Sequence, residues 1–165
     1  MKLINGRGQL GKALKKYLKL YKHIDCIIYH TWNMIDKSEK GQRKACMDFM
    51  KFVYKNDKKK IVFISTTHPI HCHYMEYKNL SEIFLWNYTN DGVVIRLPSL
   101  IGKGKIYDKC KKGIKLKNGY INIDTIDNAA KTILSLVDSK ERLNVINGEK
   151  VHSDIIQELI NVGRK

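Results

Sequence analysis

Tyr74 and Lys78 stand four residues apart in YMEYK, a spacing that puts both side chains on one face of a helix, a turn apart. An ammonium beside a phenol favours the phenolate and lowers its pKa. A phenol tuned in this way can give a proton to a carbonyl oxygen or take one from a hydroxyl. Ser65, Thr66 and Thr67 come shortly before, and a hydroxyl there can hydrogen-bond the same oxygen. A second candidate lies between these two groups. His68, His71, Cys72 and His73 bring imidazole and thiol ligands into six residues, as a metal site would. Their spacing argues against one: His71, Cys72 and His73 are consecutive and do not easily converge on one ion. His23, His30 and His152 are isolated elsewhere in the chain. No metal is expected.

The third candidate is GRGQLG, with Gly6, Gly8 and Gly11 in the pattern G-x-G-x-x-G. The pattern alone is weak, but an apolar strand precedes it and an amphipathic helix follows without a gap, which is the context a dinucleotide turn needs. Gly6 is expected to permit the turn, Gly8 to let backbone N–H groups approach a pyrophosphate, and Gly11 to allow close helix–strand packing. The helix N-terminus, through Gln9 and Leu10, would face the phosphates. A dinucleotide site also calls for an Asp or Glu at the end of the next strand, about 20 residues on. Here that strand ends in His30, Thr31 and Trp32, and Asp25 is at its other end. Arg7 in the glycine turn is expected to meet a 2′-phosphate instead, which would favour NADP over NAD.

The elements that must position these groups follow from periodicity. Leu10, Ala13, Leu14, Tyr17, Leu18 and Tyr21 recur at helical spacing, with Lys12, Lys15, Lys16 and Lys19 opposite. The apolar runs at 24–30, 61–65 and 93–97 read as strands covered on both faces. Helices are expected over 38–55, with Ala45, Phe49, Met50 and Val53 inward, and from 74 to about 87. The second half reads as a basic, glycine-punctuated stretch over 103–117, a strand at 119–124 and a helix capped at Thr125 or Asp127. A strand at 143–147 and a helix capped by Ser153 follow. Alternating strands and helices predict an α/β, reduced Rossmann-type, doubly wound and mostly parallel sheet with right-handed crossovers. The whole of 1–165 is expected to form one domain, with about 98–123 and 143–165 as a small substrate-side portion. Ligands in such sheets bind at the carboxyl ends of the strands, where the glycine turn, His30, Ser65 and Pro98 fall.

In this order the motifs resemble those of the short-chain dehydrogenase/reductase family, in its extended or atypical epimerase/dehydratase branch. GRGQLGKAL is similar to the glycine motif of dTDP-4-dehydrorhamnose reductases, and IDCIIYHTW to the strand that borders the cofactor. VFISTT resembles the strand carrying the catalytic hydroxyl, with Thr66 the matching residue. YMEYKNLSE resembles Y-x-x-x-K-x-x-x-E, with Tyr74, Lys78 and Glu82. VVIRLPSLIGKG is similar to the segment around Arg96, Pro98 and Gly102, and INIDTIDNAAKTI and NVINGEKV to the family's late helix and strand. The resemblance implies Tyr74 as general acid/base and Thr66 as holder of the substrate oxygen. It implies Lys78 as binder of the nicotinamide ribose and tuner of Tyr74. Gly6, Gly8 and Gly11 would hold the pyrophosphate of NAD or NADP, with His30, Thr31 and Pro98 along the cofactor. The implied activity is an NAD(P)-dependent reductase or epimerase of a nucleotide sugar or similar small carbonyl or hydroxyl substrate, and the implied assembly a homodimer. The chain departs from the pattern in two places. The glycine helix runs straight into what resembles the family's fourth strand, and only seven residues separate Thr66 from Tyr74.

Composition sets the alternatives. The chain has 165 residues, 43% of them hydrophobic, and a net charge of +15. Residues 1–60 carry 16 basic and five acidic residues, so the excess is concentrated there. Such charge attracts polyanions, which makes a basic nucleic-acid-binding protein one alternative, although no basic stripe interleaved with aromatic residues supports it. A non-catalytic, nucleotide-binding Rossmann protein is the other. No apolar run approaches the length that spans a bilayer, and MKLING has no signal-peptide layout, so a cytoplasmic protein is expected. Cys26, Cys46, Cys72 and Cys110 lack paired spacing and are read as reduced thiols, Cys26 and Cys46 within the core.

Overall fold

All four residues of β2 (Cys26–Tyr29) are buried, as an apolar run covered on both faces requires. The structure is a computed structural model that describes residues 1–4, 6–21, 23–67, 71–102 and 105–162. β1 (Lys2–Ile4) leads into α1 (Gln9–Tyr17), which closes in a 3-10 turn over Leu18–Tyr21. After β2 come α2 (Glu39–Lys55), β3 (Lys60–Thr66), α3 (His73–Tyr88) and β4 (Gly92–Leu97). The chain continues through β5 (Ser99–Ile101), α4 (Lys105–Lys111), β6 (Tyr120–Thr125) and α5 (Ile126–Leu136). It ends in β7 (Leu143–Val145), β8 (Glu149–His152) and α6 (Ser153–Val162).

The main sheet has the order β1-β2-β3-β4-β7 and is parallel throughout, with Leu3 opposite Ile28, Ile28 opposite Val62 and Val62 opposite Val93. Because side chains alternate across a strand, this register sends Cys26, Ile28, Val62, Ile64, Val93 and Ile95 to one face. There they meet Ala13 and Leu14 of α1 and Ala130, Ile133 and Leu134 of α5. The opposite face carries Tyr29, Ile61, Phe63 and Val94 against Phe49 and Val53 of α2 and Leu85 of α3. Helices on both faces of a mostly parallel sheet are the expected fold class.

One expectation is corrected. The strands advance across the sheet in one direction, but α1 and α5 cover one face while α2 and α3 cover the other. Crossovers that move the same way on opposite faces have opposite hands, so the four connections are not all right-handed. The usual hand comes from a twisted strand feeding directly into its helix. Here the packing of α1 against α5 fixes the face of α1. Eight residues then separate α1 from β2, enough chain to bring it back into the sheet.

A second sheet, β5-β6-β8, pairs β5 and β6 in parallel and β6 and β8 antiparallel. It has its own core, in which Cys110 of α4 and Ile156 and Ile160 of α6 pack with Ile101, Ile121, Ile123 and Val151. Gly148 turns the chain into this sheet at φ 67°, and a side chain there would strike the Ile123 carbonyl. β5 and β8 lie in segments that show no strand period in the sequence, and β7 joins the main sheet, not the small one. Ser153 does not cap α6: its Oγ is buried with no hydrogen-bond partner. Thr125 does cap α5, its Oγ1 accepting from the Asn128 N–H at 3.2 Å. Cys26 and Cys46 are buried as expected. No described helix is long and apolar enough to cross a membrane.

Candidate functional site

The glycine turn is tight because its backbone touches itself. A Cβ on Gly11 would lie 2.5 Å from Gly6 Cα and 2.8 Å from His30 Nε2. One on Gly6 would lie 2.6 Å from Leu3 Cδ2. A side chain on Gly11 would force the backbone to shift, whereas one on Gly6 would displace the Leu3 and Lys15 side chains. Gly8 is different: it is the N-cap of α1, its φ is −70°, and nothing lies within 4 Å of where its Cβ would be. No side chain caps α1 and no acid occupies its first turn. The first amides of the helix therefore keep their capacity to meet an anion.

This turn forms one wall of a cavity of about 750 Å³ at the carboxyl ends of β1 to β4, a size usual for a small-molecule cleft. Gly8, Gln9, Leu10 and Gly11 line it, with His30, Thr66, Tyr74, Lys78 and Pro98 among the other walls. Three expected contributors sit elsewhere. Gly6 is buried beneath the turn, Arg7 is exposed and outside the cavity, and Thr31 is tied back, its Oγ1 donating to the Ile4 carbonyl at 3.2 Å.

Tyr74 stands in the first turn of α3, and its phenol is hydrogen-bonded to the Thr66 side chain at the end of β3. Burial nevertheless pushes the phenol up to about 12, more than the Thr66 hydrogen bond lowers it. The expectation that Lys78 holds Tyr74 below its usual pKa is therefore corrected. Lys78 is 4% exposed and its Nζ donates to the Ile64 carbonyl at 2.6 Å, 5.9 Å from the centre of the Tyr74 ring. It also lies over Trp32 and Phe63, at 4.7 and 4.6 Å. Burial lowers its pKa to about 7, and Lys37 adds repulsion while Glu82 opposes the shift. A half-neutral amine stabilises a phenolate poorly. The closer cation is Lys37, 4.0 Å above the Tyr74 ring.

The Tyr74-Lys78-Glu82 column continues into an ion pair. Glu82 is 1% exposed and receives Arg96 of β4 through three contacts, the shortest 2.6 Å. This pair fastens α3 to the sheet under the cavity. Gln42, fully buried on α2, does the same for the loop between β2 and α2. Its Oε1 accepts from Trp32 Nε1 at 2.7 Å, and its Nε2 donates to the carbonyls of Asn33 and Asp36. The loop so held supplies Trp32, Met34 and Lys37 to the cavity. In the sequence Gln42 precedes Cys46, Phe49 and Val53 at helical spacing. A polar residue in that stripe is the signal that would have found it.

Two buried polar atoms on residues lining the cleft have no hydrogen-bond partner: Ser65 Oγ and His30 Nδ1. Burial also lowers the pKa of His30, against a hydrogen bond with the Ile4 backbone that raises it and with Lys78 and Lys15 adding to the lowering. Cys72, the N-cap of α3, also lines the cleft. Of the histidine cluster, His68 lies outside the described residues. His71 and His73 both direct Nδ1 at Glu76, at 3.3 and 3.0 Å. Among the described residues no group of three or more His, Cys, Asp or Glu has the arrangement of a metal site.

A parallel sheet flanked by helices on both faces, with a glycine turn and a cleft at its carboxyl edge, defines a Rossmann-type α/β protein. Solved structures share the fold. A dTDP-4-dehydrorhamnose reductase from Clostridium acetobutylicum superposes with a TM-score of 0.74 at 18% identity, over 97% of this chain and 79% of that one. The dTDP-4-dehydrorhamnose reductase of Bacillus anthracis, solved with NADP, gives 0.73 at 15% identity over 99% and 81%. An L-threonine dehydrogenase from Phytophthora infestans gives 0.71 at 11% identity over 99% and 82%. No family model matches the chain, and neither does any curated protein sequence.

Proposed function

We propose that the cleft binds a nicotinamide nucleotide, NAD or NADP, and that the chain is a reductase or epimerase of a small carbonyl or hydroxyl compound of the nucleotide-sugar kind. The observation that carries this reading is the convergence of an uncapped glycine-turn helix, the Thr66–Tyr74 hydrogen bond and Lys78 on one cavity. The residues present fit the cofactor: Gly8 leaves open the space that a Cβ would fill, and Ser65 Oγ and His30 Nδ1 are buried without partners. Gly8, Gln9, Leu10 and Gly11 would hold the phosphates through backbone amides. His30, Lys78 and Pro98 would border the nicotinamide ribose. The cofactor supplies a hydride acceptor or donor.

The chain's own residues would then handle the proton. Thr66 holds the substrate oxygen beside Tyr74, and the Tyr74 hydroxyl gives its proton to that oxygen in the reductive direction or takes it back in the oxidative one. Lys37, 4.0 Å from the centre of the ring, supplies the positive field that steadies the phenolate. Titrating NADH and NADPH by fluorescence tests the first half: saturable binding below millimolar concentration is expected, and no binding of either sinks the reading. Tyr74→Phe is expected to abolish turnover while leaving cofactor affinity unchanged, read by single-turnover absorbance alongside the titration.

The raised pKa of Tyr74 and the engagement of Lys78 with Ile64 favour a second reading, a nucleotide-binding protein of this fold that does not turn over. It predicts cofactor binding with no hydride transfer to any keto sugar nucleotide. A homodimer would use α3, whose Leu80 and Ile83 are exposed; light scattering decides it. The nucleic-acid alternative draws its support from net charge alone.

A further inference from the structure

We infer that the cleft is a half-site, built to take a nicotinamide mononucleotide unit and not to read the adenosine half of a dinucleotide. The inference rests on the proposed nicotinamide-binding role and narrows its ligand. A dinucleotide fold combines two mononucleotide-binding halves, and the cofactor lies across the point where the strand order reverses. This sheet has no such point. Its order is β1-β2-β3-β4-β7, and among the described residues β1 pairs only with β2 and forms the edge. The chain between α1 and β2 holds the 3-10 turn and a short loop, so no strand is inserted there to extend the sheet beyond β1.

The polar groups agree with the topology. The strand after the glycine helix ends without an acid for the adenosine ribose. Thr31 at that place is bonded to the Ile4 carbonyl, and Arg7, the one cation in the turn, is exposed outside the cavity. Everything that lines the cleft lies on the other side of the turn, running from Gly8 across His30, Ser65 and Tyr74 to Pro98 and Ile106. That side also holds Ser65, 4% exposed with its Oγ unpartnered. Recognition therefore begins at the phosphates over α1 and proceeds toward Tyr74. An adenosine attached to those phosphates would extend past β1 into solvent.

The test compares reduced nicotinamide mononucleotide, NADH and NADPH by fluorescence titration of the intact protein, with AMP, the adenosine half of NAD, as competitor. Reduced mononucleotide and both dinucleotides are expected to bind within about threefold of one another, a difference of less than ~1 kcal/mol. AMP at ten times the ligand concentration is expected to displace little of any of them. Gly8→Ala is expected to weaken all three equally, and Arg7→Ala to change none. NADH or NADPH binding more than ~10-fold more tightly than the mononucleotide, with displacement by AMP, would overturn the half-site while leaving the nicotinamide reading in place. Failure of all three to bind would overturn both.

Discussion

Gly8 and Gly11 differ in what a methyl group would do to them. At Gly11 the added carbon meets Gly6 backbone and the His30 ring, so Gly11→Ala should cost about 1–3 kcal/mol by overpacking. At Gly8 the carbon meets nothing, so Gly8→Ala should leave the urea midpoint nearly unchanged and act only on ligand affinity. Chemical denaturation of the two variants, set beside their binding curves, separates the glycine that builds the turn from the one that leaves room over it. Lys78 gives a pH test. Its folded pKa of about 7 lies below the ordinary lysine value of 10.5, so above pH 7 the unfolded chain holds the extra proton. Stability should therefore rise with pH from about 7 toward 9, before the buried Cys26 thiol, pushed up to about 11, begins to act in the opposite direction. Lys78→Met should flatten that rise, and an unchanged slope would remove Lys78 as its cause.

At the scale of elements, two polar clasps hold the elements that wall the cleft. Arg96→Met leaves the Glu82 carboxylate buried and unpaired, which should cost about 3–5 kcal/mol, whereas Arg96→Met combined with Glu82→Leu should recover most of the loss. A double variant as unstable as the single one would mean that the pair holds α3 by more than compensating its own burial. Gln42→Ala strands the Trp32 indole and two loop carbonyls, so a loss of about 1–3 kcal/mol is expected, with a change in Trp32 fluorescence as the loop loosens. Both clasps join residues far apart in the chain or hidden in an apolar stripe. Helix and strand positions were legible because apolar spacing reports the local period. β5 and β8 were not: each is short, and their side chains are half-buried or exposed, so they carry little alternation.

For the whole molecule, a charge of +15 on 165 residues implies self-repulsion in the compact state. Raising sodium chloride from about 0.02 M to about 0.5 M should therefore raise the thermal midpoint, since the Debye length falls from roughly 20 Å to under 5 Å. A midpoint that falls with salt would show instead that specific ion pairs outweigh the general repulsion. The sequence by itself determined the α/β alternation, the buried parallel strands, the tight glycine turn and the presence of Thr66, Tyr74 and Lys78 at one end of the strands. All of these follow from local spacing and from the direction that each strand imposes. Only the tertiary structure decided that α1 packs with α5, that β1 stands at the edge, and that the Lys78 ammonium turns to the Ile64 carbonyl. Packing between elements selects a face, a neighbour and a hydrogen-bond acceptor, and none of these leaves a period in the chain.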